Sequence, residues 1–250
     1  KLFNKSFTKK AIINRDDESH QYFLDNASDK DPITFGLDDL EFFKNSENGF
    51  ICQLNNYVFE LPLVGEFNLS NAMAAYQSVK CLGYSDDQII PFLAKLSPPP
   101  GRMQQLENSH IWIDYAHTPD ALDNALSTLK THYPEFKIRV IFGCGGDRDK
   151  GKRQIMGKIA SETADSIILT NDNPRSEDPQ SIVDDILAGT KVENDVQVIL
   201  DRGDAIQSAV QTLGEEEALL IAGKGHETTQ VIGSKTLQFS DIEVALNALN

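Results

Sequence analysis

The feature that most constrains the fold is a regular alternation of apolar and helix-forming segments in the second half of the chain. The apolar runs that predict strands lie at 111–113, 139–142, 166–170, 196–199 and 218–222. Helix start signals such as Thr118-Pro119 and Asp178-Pro179 follow some of these runs, because Thr and Asp cap helices and Pro suits the first helical position. Strands and helices in this order predict an α/β fold with a mostly parallel sheet covered on both faces.

Further elements of the same region complete this prediction. Helices are expected over 151–163 and 204–213, and a short hairpin over 230–239. Ser240 and Glu243 have the spacing of a capping box, which predicts that a last helix opens there.

The first part of the chain has a different pattern, with short strands and turns followed by two helices, and is predicted to form part of a separate domain. A buried strand is expected at 11–14, a strand pair over 50–63, a helix over 72–81 capped by residues 68–71, and a helix over 85–96. The run Ser97-Pro98-Pro99-Pro100-Gly101 can neither continue a helix nor pair as a central strand. We therefore predict two domains, 1–98 and 99–250.

Composition narrows the classes of function. The chain has 250 residues and a formal net charge of 23 − 38 = −15, which disfavours a nucleic-acid-binding protein. Its three cysteines show neither a disulfide nor a zinc spacing, so we expect a reducing, cytoplasmic environment. No apolar run is long enough to span a membrane, and no secretory signal is recognised at the start.

Four polar loops follow four of the predicted strands. They are 114–120, 143–153, 172–175 and 223–227. Because the carboxyl ends of parallel strands meet at one edge of a sheet, these loops are expected to form one cleft. Arginines among them can bind carboxylates and acidic residues can bind ammonium groups, so the cleft suits a zwitterionic ligand.

Each loop taken alone has a simpler interpretation. The glycines after residue 142 are equally well explained as a tight turn, and 172–174 as an ordinary turn before a helix. His117 and His226 in isolation are better explained as capping or core residues. Lys150, Lys152 and Arg153 could form a solvated charged face. None of these interpretations explains why all four loops follow strands of one sheet.

Taken together, these runs resemble the Mur ligase family. The matching segments are Gly65-Glu66-Phe67-Asn68-Leu69-Ser70-Asn71, Gly101-Arg102-Met103, Asp114-Tyr115-Ala116-His117-Thr118-Pro119-Asp120, 143–153, Asp172-Asn173-Pro174-Arg175 and Gly223-Lys224-Gly225-His226-Glu227. The resemblance covers nearly the whole chain and keeps the order of the motifs. It implies an incomplete central ATPase-type α/β domain followed by a Rossmann-like carboxyl-terminal domain.

The resemblance also implies a reaction. Ligases of this family use ATP and Mg²⁺ to convert a carboxylate into an acyl phosphate, which the amine of an incoming amino acid then attacks. No G-x-x-x-x-G-K-[S/T] run occurs in the sequence, so the cradle for the ATP phosphates is missing. We interpret the chain as the carboxyl-terminal portion of a longer, monomeric enzyme and expect it to be inactive alone.

Residue roles follow from the same resemblance. Asn71, Arg102, Asp114 and His117 resemble nucleotide contacts, whereas Arg148, Gly223 and Glu227 resemble contacts to the incoming diamino acid. The loop of Asp172, Asn173, Pro174 and Arg175 resembles the segment that selects this substrate. No catalytic residue and no metal ligand is assigned within the chain.

Arg175 favours one substrate. Meso-diaminopimelate carries a distal carboxylate that L-lysine lacks, and an Arg fork can bind it through two hydrogen bonds. The predicted substrates are thus UDP-N-acetylmuramoyl-L-alanyl-D-glutamate, meso-diaminopimelate and ATP. The alternatives are an L-lysine-adding ligase, another amino-acid-adding member of the family, and a non-catalytic amino-acid-binding module.

Overall fold

The computed structural model describes residues 9–106, 109–191 and 195–249. The chain divides into two compact units, residues 1–97 and 98–250. The boundary between them falls within the proline-rich run of the sequence. Both units mix helices and strands, so the predicted α/β class is confirmed.

The described part of the first unit contains two small sheets and three α-helices. Its elements are β1 (Ile12–Asn14), α1 (His20–Asn26), β2 (Ile33–Phe35), β3 (Phe42–Ser46), β4 (Gly49–Leu54), β5 (Tyr57–Leu61), α2 (Glu66–Cys81) and α3 (Asp86–Leu93). Strands β1 and β2 pair in parallel, and β3, β4 and β5 form an antiparallel sheet. Leu61, Leu69 and Tyr76 lie in the core between that sheet and α2.

Two helix boundaries in this unit differ from the sequence prediction. Helix α2 begins at Glu66 rather than at residue 72, so residues 68–71 lie inside it and do not cap it. The Asn68 side chain donates to the Val64 carbonyl at 2.8 Å, which satisfies its amide within the helix. Helix α3 ends at Leu93 rather than at residue 96. After Leu93 the hydrogen bonds span three residues instead of four, since the Leu96 amide donates to the Leu93 carbonyl.

The second unit is built on one six-stranded sheet of order β10-β9-β8-β11-β7-β6. The strands are β6 (Gln104–Gln105), β7 (Ile111–Asp114), β8 (Lys137–Phe142), β9 (Ser166–Leu169), β10 (Asp195–Val198) and β11 (Glu217–Ala222). All neighbours pair in parallel except the antiparallel edge strand β6. Strand β11 lies between β7 and β8, so the connection that follows β7 crosses over it.

Helices cover this sheet on both faces. They are α4 (Pro119–His132), α5 (Gly151–Thr163), α6 (Pro179–Leu187), α7 (Arg202–Gln211) and α8 (Asp241–Leu249). Helix α5 packs on α4 and on α6, while α7 and α8 pack on each other. A hairpin of β12 (Thr229–Ile232) and β13 (Lys235–Gln238) precedes α8.

The predicted caps of this unit are largely confirmed. Thr118 accepts from the amide of Ala121 at 3.3 Å, Asp178 accepts from Ser181 at 3.0 Å, and Ser240 accepts from Glu243 at 3.3 Å. Helix α7 is the exception, since it begins at Arg202 and not at Asp204. There Asp201 is the capping residue and accepts from the Asp204 amide.

All three cysteines are free. Burial raises the pKa of the Cys52 and Cys144 thiols to about 11, which keeps both protonated at neutral pH. Cys144 lies 3.7 Å from the sulfur of Met156, inside the second unit. Within the described ranges, no helix is long and apolar enough to cross a membrane.

A buried ion pair joins α7 to α8. Arg202 and Asp241 have fully buried side chains, and two guanidinium nitrogens donate to the carboxylate at 2.7 Å each. Arg202 also donates to the carbonyl of Ala222 at 2.9 Å and to that of Asn171 at 3.4 Å. One guanidinium thus connects the last helix to the ends of β9 and β11.

We expect Asp241→Asn to lower the free energy of unfolding of the second unit by about 3–5 kcal/mol, because it leaves Arg202 buried without a counterion. Urea unfolding followed by the fluorescence of Trp112, the single tryptophan, measures this change.

The matched control is Glu162→Gln. Glu162 pairs with Lys158 at 3.8 Å on the surface of α5, with side chains 46% and 66% exposed. Its loss is expected to change stability by less than about 0.5 kcal/mol. Equal effects of the two substitutions would show that the buried pair contributes no more than a surface pair.

Candidate functional site

A polar cleft of about 500 Å³ opens in the second unit, where β7, β8, β9 and β11 end. Its lining comes from all four loops singled out in the sequence and comprises Tyr115, His117, Thr118, Gly143, Gly145, Arg148, Asp149, Lys152, Asp172, Asn173, Arg175, Gly223 and Glu227. The cleft therefore brings basic and acidic side chains to one place.

The hairpin β12–β13 holds the loop of residues 172–175. The Arg175 amide donates to the Val231 carbonyl at 3.1 Å, and the Gly233 amide donates to the Arg175 carbonyl at 2.7 Å. Gln230, which is buried, donates from its side chain to the Asp172 carbonyl at 2.9 Å. These bonds hold Arg175 at a φ of 52°, in the left-handed region that side chains other than Gly and Asn rarely adopt.

The guanidinium of Arg175 is anchored on one side. Its Nη1 donates to the Gly146 carbonyl at 2.8 Å and to the Asn173 carbonyl at 3.4 Å. No acceptor for its Nη2 or Nε is found among the described residues, so those nitrogens are available to a ligand. Arg148 lies exposed at the mouth of the same cleft.

The glycines of the 143–153 loop allow backbone to pack on backbone. A Cβ at Gly143 would lie 2.0 Å from the Thr170 carbonyl oxygen, and one at Gly146 would lie 1.9 Å from that of Pro174. The Gly146 amide donates to the Asn173 carbonyl at 2.9 Å. The two loops thus form one unit, and Pro174 contributes its backbone to this contact rather than to the cleft lining.

The simpler alternative, in which Arg153 belongs to a solvated charged face, is wrong for this residue. Its side chain is fully buried and donates to Glu177, to Asp185 at 3.0 Å and to the Gly145 carbonyl at 3.2 Å. The Arg153 guanidinium, the Asp147 amide and Lys150 together lower the pKa of Glu177 to about 2. Since apolar periodicity does not mark a buried arginine, no signal in the sequence separated Arg153 from its exposed neighbours.

Lys224 forms a buried network with two predicted site residues. Its ammonium donates to Asn173 Oδ1 at 3.2 Å and to Glu227 Oε2 at 3.0 Å, and its side chain is fully buried. Burial acts to raise the pKa of Glu227, but Lys224, Asn173 and Tyr115 outweigh it and hold that pKa below its usual value. Neither Lys224 nor Tyr115 has a predicted role from the sequence.

The residues predicted to contact nucleotide are spread over several places. His117 lines the cleft, and its Nδ1 lies 2.9 Å from the Tyr115 carbonyl oxygen. The Arg102 guanidinium lies over the Tyr115 ring, 4.7 Å from its centre. Asp114 is not among the lining residues, and its carboxylate accepts from the Met103 amide at 2.7 Å. Burial raises the pKa of Asp114, opposed by that bond, by the Ala116 amide and by Arg102.

Asn71 belongs to the first unit. It is exposed on α2, and its side-chain amide lies 3.4 Å from Asn68 Oδ1.

The described residues offer no metal-binding cluster, and the sequence holds no complete phosphate-binding loop. In the described ranges, no group of three or more His, Cys, Asp or Glu side chains is placed to hold a metal ion. Residues 146–153 match a phosphate-binding loop motif except at the last position, where Arg153 stands in place of Ser or Thr. The Arg153 guanidinium donates to Glu177 and Asp185.

Both units match models of known protein families. A family model described as the glutamate ligase domain of Mur ligases matches residues 101–225, and one described as the Mur ligase middle domain matches residues 1–79.

Individual relatives agree with the family models. Two of them are named UDP-N-acetylmuramoyl-L-alanyl-D-glutamate–2,6-diaminopimelate ligase. The one from Rickettsia rickettsii is 41% identical over 94% of this chain and 51% of its own length. The one from Coxiella burnetii is 50% identical over 76% of this chain and 40% of its own length. The chain thus spans about half the length of the curated relatives it matches.

Solved structures share the same arrangement. A structure described by the same ligase name superposes with a TM-score of 0.68 at 35% identity, over 99% of this chain and 54% of that one. A folylpolyglutamate synthase from Mycobacterium tuberculosis has a TM-score of 0.66 at 20% identity, over 86% of this chain and 52% of that one, and shows likeness of fold alone.

We expect Gly146→Ala to lower the free energy of unfolding by about 1–3 kcal/mol, because its Cβ would meet backbone that cannot move without displacing residues 172–175. Urea unfolding monitored by Trp112 fluorescence measures the change.

Gly145→Ala is the control, because its Cβ would first meet the far end of the Arg175 side chain, at 3.0 Å, and not backbone. We expect this variant to lose less than about 1 kcal/mol. If Gly146→Ala is no less stable than Gly145→Ala, the close packing of the two loops does not constrain the site.

Proposed function

The chain belongs to the Mur ligase family, and we propose that it is part of an ATP-dependent ligase that adds meso-diaminopimelate to UDP-N-acetylmuramoyl-L-alanyl-D-glutamate. The observation that carries the proposal is the cleft at the ends of β7, β8, β9 and β11, where Arg148 and Arg175 lie beside Asp172 and Glu227. Relatives bearing this ligase name, at 41% and 50% identity, support it.

The charges of the cleft match the charges of the proposed substrate. Meso-diaminopimelate carries two carboxylates and two amino groups. Two arginines can each bind a carboxylate, and two carboxylates can each accept hydrogen bonds from an ammonium group. The volume of about 500 Å³ is of the size that ligand pockets in proteins usually have.

Arg175 is the residue to which we assign the distal carboxylate. Its Nη1 is held by two backbone carbonyls, so its remaining nitrogens have a fixed direction. A fork held in this way needs little further ordering when it binds a carboxylate. L-lysine offers no carboxylate at that end and would leave the fork unpaired.

The residues of this chain act by positioning the incoming amine. ATP supplies the phosphoryl group that turns the acceptor carboxylate into an acyl phosphate. The cleft holds the diamino acid by both ends, so that one amine can attack the acyl carbon and inorganic phosphate can leave. Arg102 and His117, with Asn71 on the first unit and the buried Asp114, are proposed to contact the nucleotide or to hold the residues that do.

Two alternatives remain distinguishable by experiment. A lysine-adding ligase is disfavoured by Arg175, and a binding module without catalysis is disfavoured by the family and by the names of its relatives. We place the reaction in the cytoplasm, because free Cys52, Cys81 and Cys144 favour a reducing compartment.

We expect Arg175→Ala, in an enzyme of the relatives' full length that carries this chain, to lower kcat/KM for diaminopimelate by a factor of about 30 to 1,000. That factor corresponds to the roughly 2–4 kcal/mol that a bidentate carboxylate contact contributes inside a cleft. The KM for ATP should stay nearly constant. Phosphate release with diaminopimelate and L-lysine side by side is the measurement.

Arg175→Lys serves as the matched variant, since it keeps the charge and loses the fork. It should recover only part of the activity with diaminopimelate. If Arg175→Ala turns over diaminopimelate as fast as the wild type, Arg175 does not bind the distal carboxylate. A wild-type enzyme that prefers L-lysine would overturn the proposed function.

A further inference from the structure

We propose that Lys224 is a positioning residue of the diamino-acid cleft, which fixes the side-chain amide of Asn173 and keeps Glu227 negatively charged for an ammonium group of the substrate. This inference rests on the proposed function, since it concerns the same cleft. Lys224 itself is not among the residues that line the cleft, so it acts through its two neighbours.

The position of Lys224 excludes a direct role at the cleft surface. Its side chain is fully buried, while that of Glu227 is 33% exposed. The ammonium group lies 3.2 Å from Asn173 Oδ1 and 3.0 Å from Glu227 Oε2. A buried ammonium needs such partners, because burying a charge without them is strongly unfavourable.

Lys224 and the Val231 amide together fix which way the Asn173 amide points. Asn173 Oδ1 accepts from two donors, the Lys224 ammonium and the Val231 amide at 2.8 Å. A flipped amide would set its NH₂ group against both donors. The observed orientation directs Nδ2 toward Glu227 Oε2 at 3.3 Å, so the amide and the carboxylate are held as one unit.

Lys224 also provides the nearest positive charge to Glu227. The other groups that face this carboxylate are the Tyr115 hydroxyl at 3.5 Å and the Asn173 amide. Arg202 acts on Glu227 and on Asp172 through longer-range attraction, but its hydrogen bonds go to Asp241 and to backbone carbonyls. Without Lys224, burial would dominate and the pKa of Glu227 would rise.

The test is Lys224→Met in the full-length enzyme, with kcat and KM for diaminopimelate measured between pH 5 and pH 8. We expect the KM for diaminopimelate to rise about tenfold at pH 8, with kcat and the KM for ATP changed much less. In the wild type, Glu227 stays ionised over this range because its pKa is lowered. In the variant, loss of the adjacent Lys224 charge should raise the pKa of Glu227, so the KM should rise further as the pH falls.

A double variant guards against misfolding. Lys224→Met alone leaves Glu227 part-buried without its cation, whereas Lys224→Met combined with Glu227→Gln leaves no unpaired charge in this pair. If Lys224 acts through Glu227, the double variant should bind diaminopimelate about as weakly as Glu227→Gln alone, and neither should show the new dependence on pH. Lys158→Met, on the exposed surface of α5, is the control that should match the wild type.

The outcomes are separable. A raised KM in Lys224→Met that is the same at every pH would indicate a purely structural role and overturn the inference, as would losses from Lys224→Met and Glu227→Gln that simply add. A wild-type enzyme that does not use diaminopimelate at all would instead overturn the proposed function.

Discussion

The Arg202 guanidinium connects helix α8 to two of the four loops that form the cleft. It donates to the Asp241 carboxylate of α8 and to the carbonyls of Asn171 and Ala222, the residues directly before Asp172 and Gly223. Two of the four cleft loops therefore start from points that one buried side chain holds in place. A charge-assisted bond to a buried carboxylate is stronger than a neutral one, and it also fixes direction. The placement of Asp172 and Gly223 follows from that constraint.

Two further buried cations near the cleft are paired with carboxylates. Arg153 pairs with Glu177 and Asp185 behind the glycine loop, and Lys224 pairs with Glu227 beneath the cleft. Arg175, which faces the cleft, keeps its Nη2 and Nε without an acceptor among the described residues. Buried pairs of this kind contribute less to stability than to a defined geometry, and geometry is what a site for a doubly zwitterionic ligand requires.

Much of the second unit could be predicted from the sequence. Apolar runs located the five parallel strands, and Thr118 and Asp178 located the starts of α4 and α6. The four polar loops were also found, because their position after strands is a property of the chain order. The start of α2 was missed, because the Asn68 side chain is satisfied inside the helix and resembles a cap in sequence.

Other parts of the site could not be predicted because they depend on distant contacts. Nothing in the local sequence shows that Lys224 and Arg153 are buried, since both lie in runs that also suit an exposed loop. A hairpin was predicted over 230–239 and lies at 229–238, but its hydrogen bonds to residues 172–175 were not predicted. These contacts join segments more than 50 residues apart in the chain, and only the folded sheet brings them together.

The left-handed backbone of Arg175 has a consequence for how this cleft changes over time. A side-chain-bearing residue in that region costs on the order of 1 kcal/mol relative to glycine, and asparagine tolerates it better than arginine does. At position 175 the fold on its own therefore favours Gly or Asn. An arginine persists there only while selection for its ligand exceeds that cost. Lineages released from that selection are expected to drift toward the smaller residues, gaining stability as they lose the carboxylate contact proposed for Arg175.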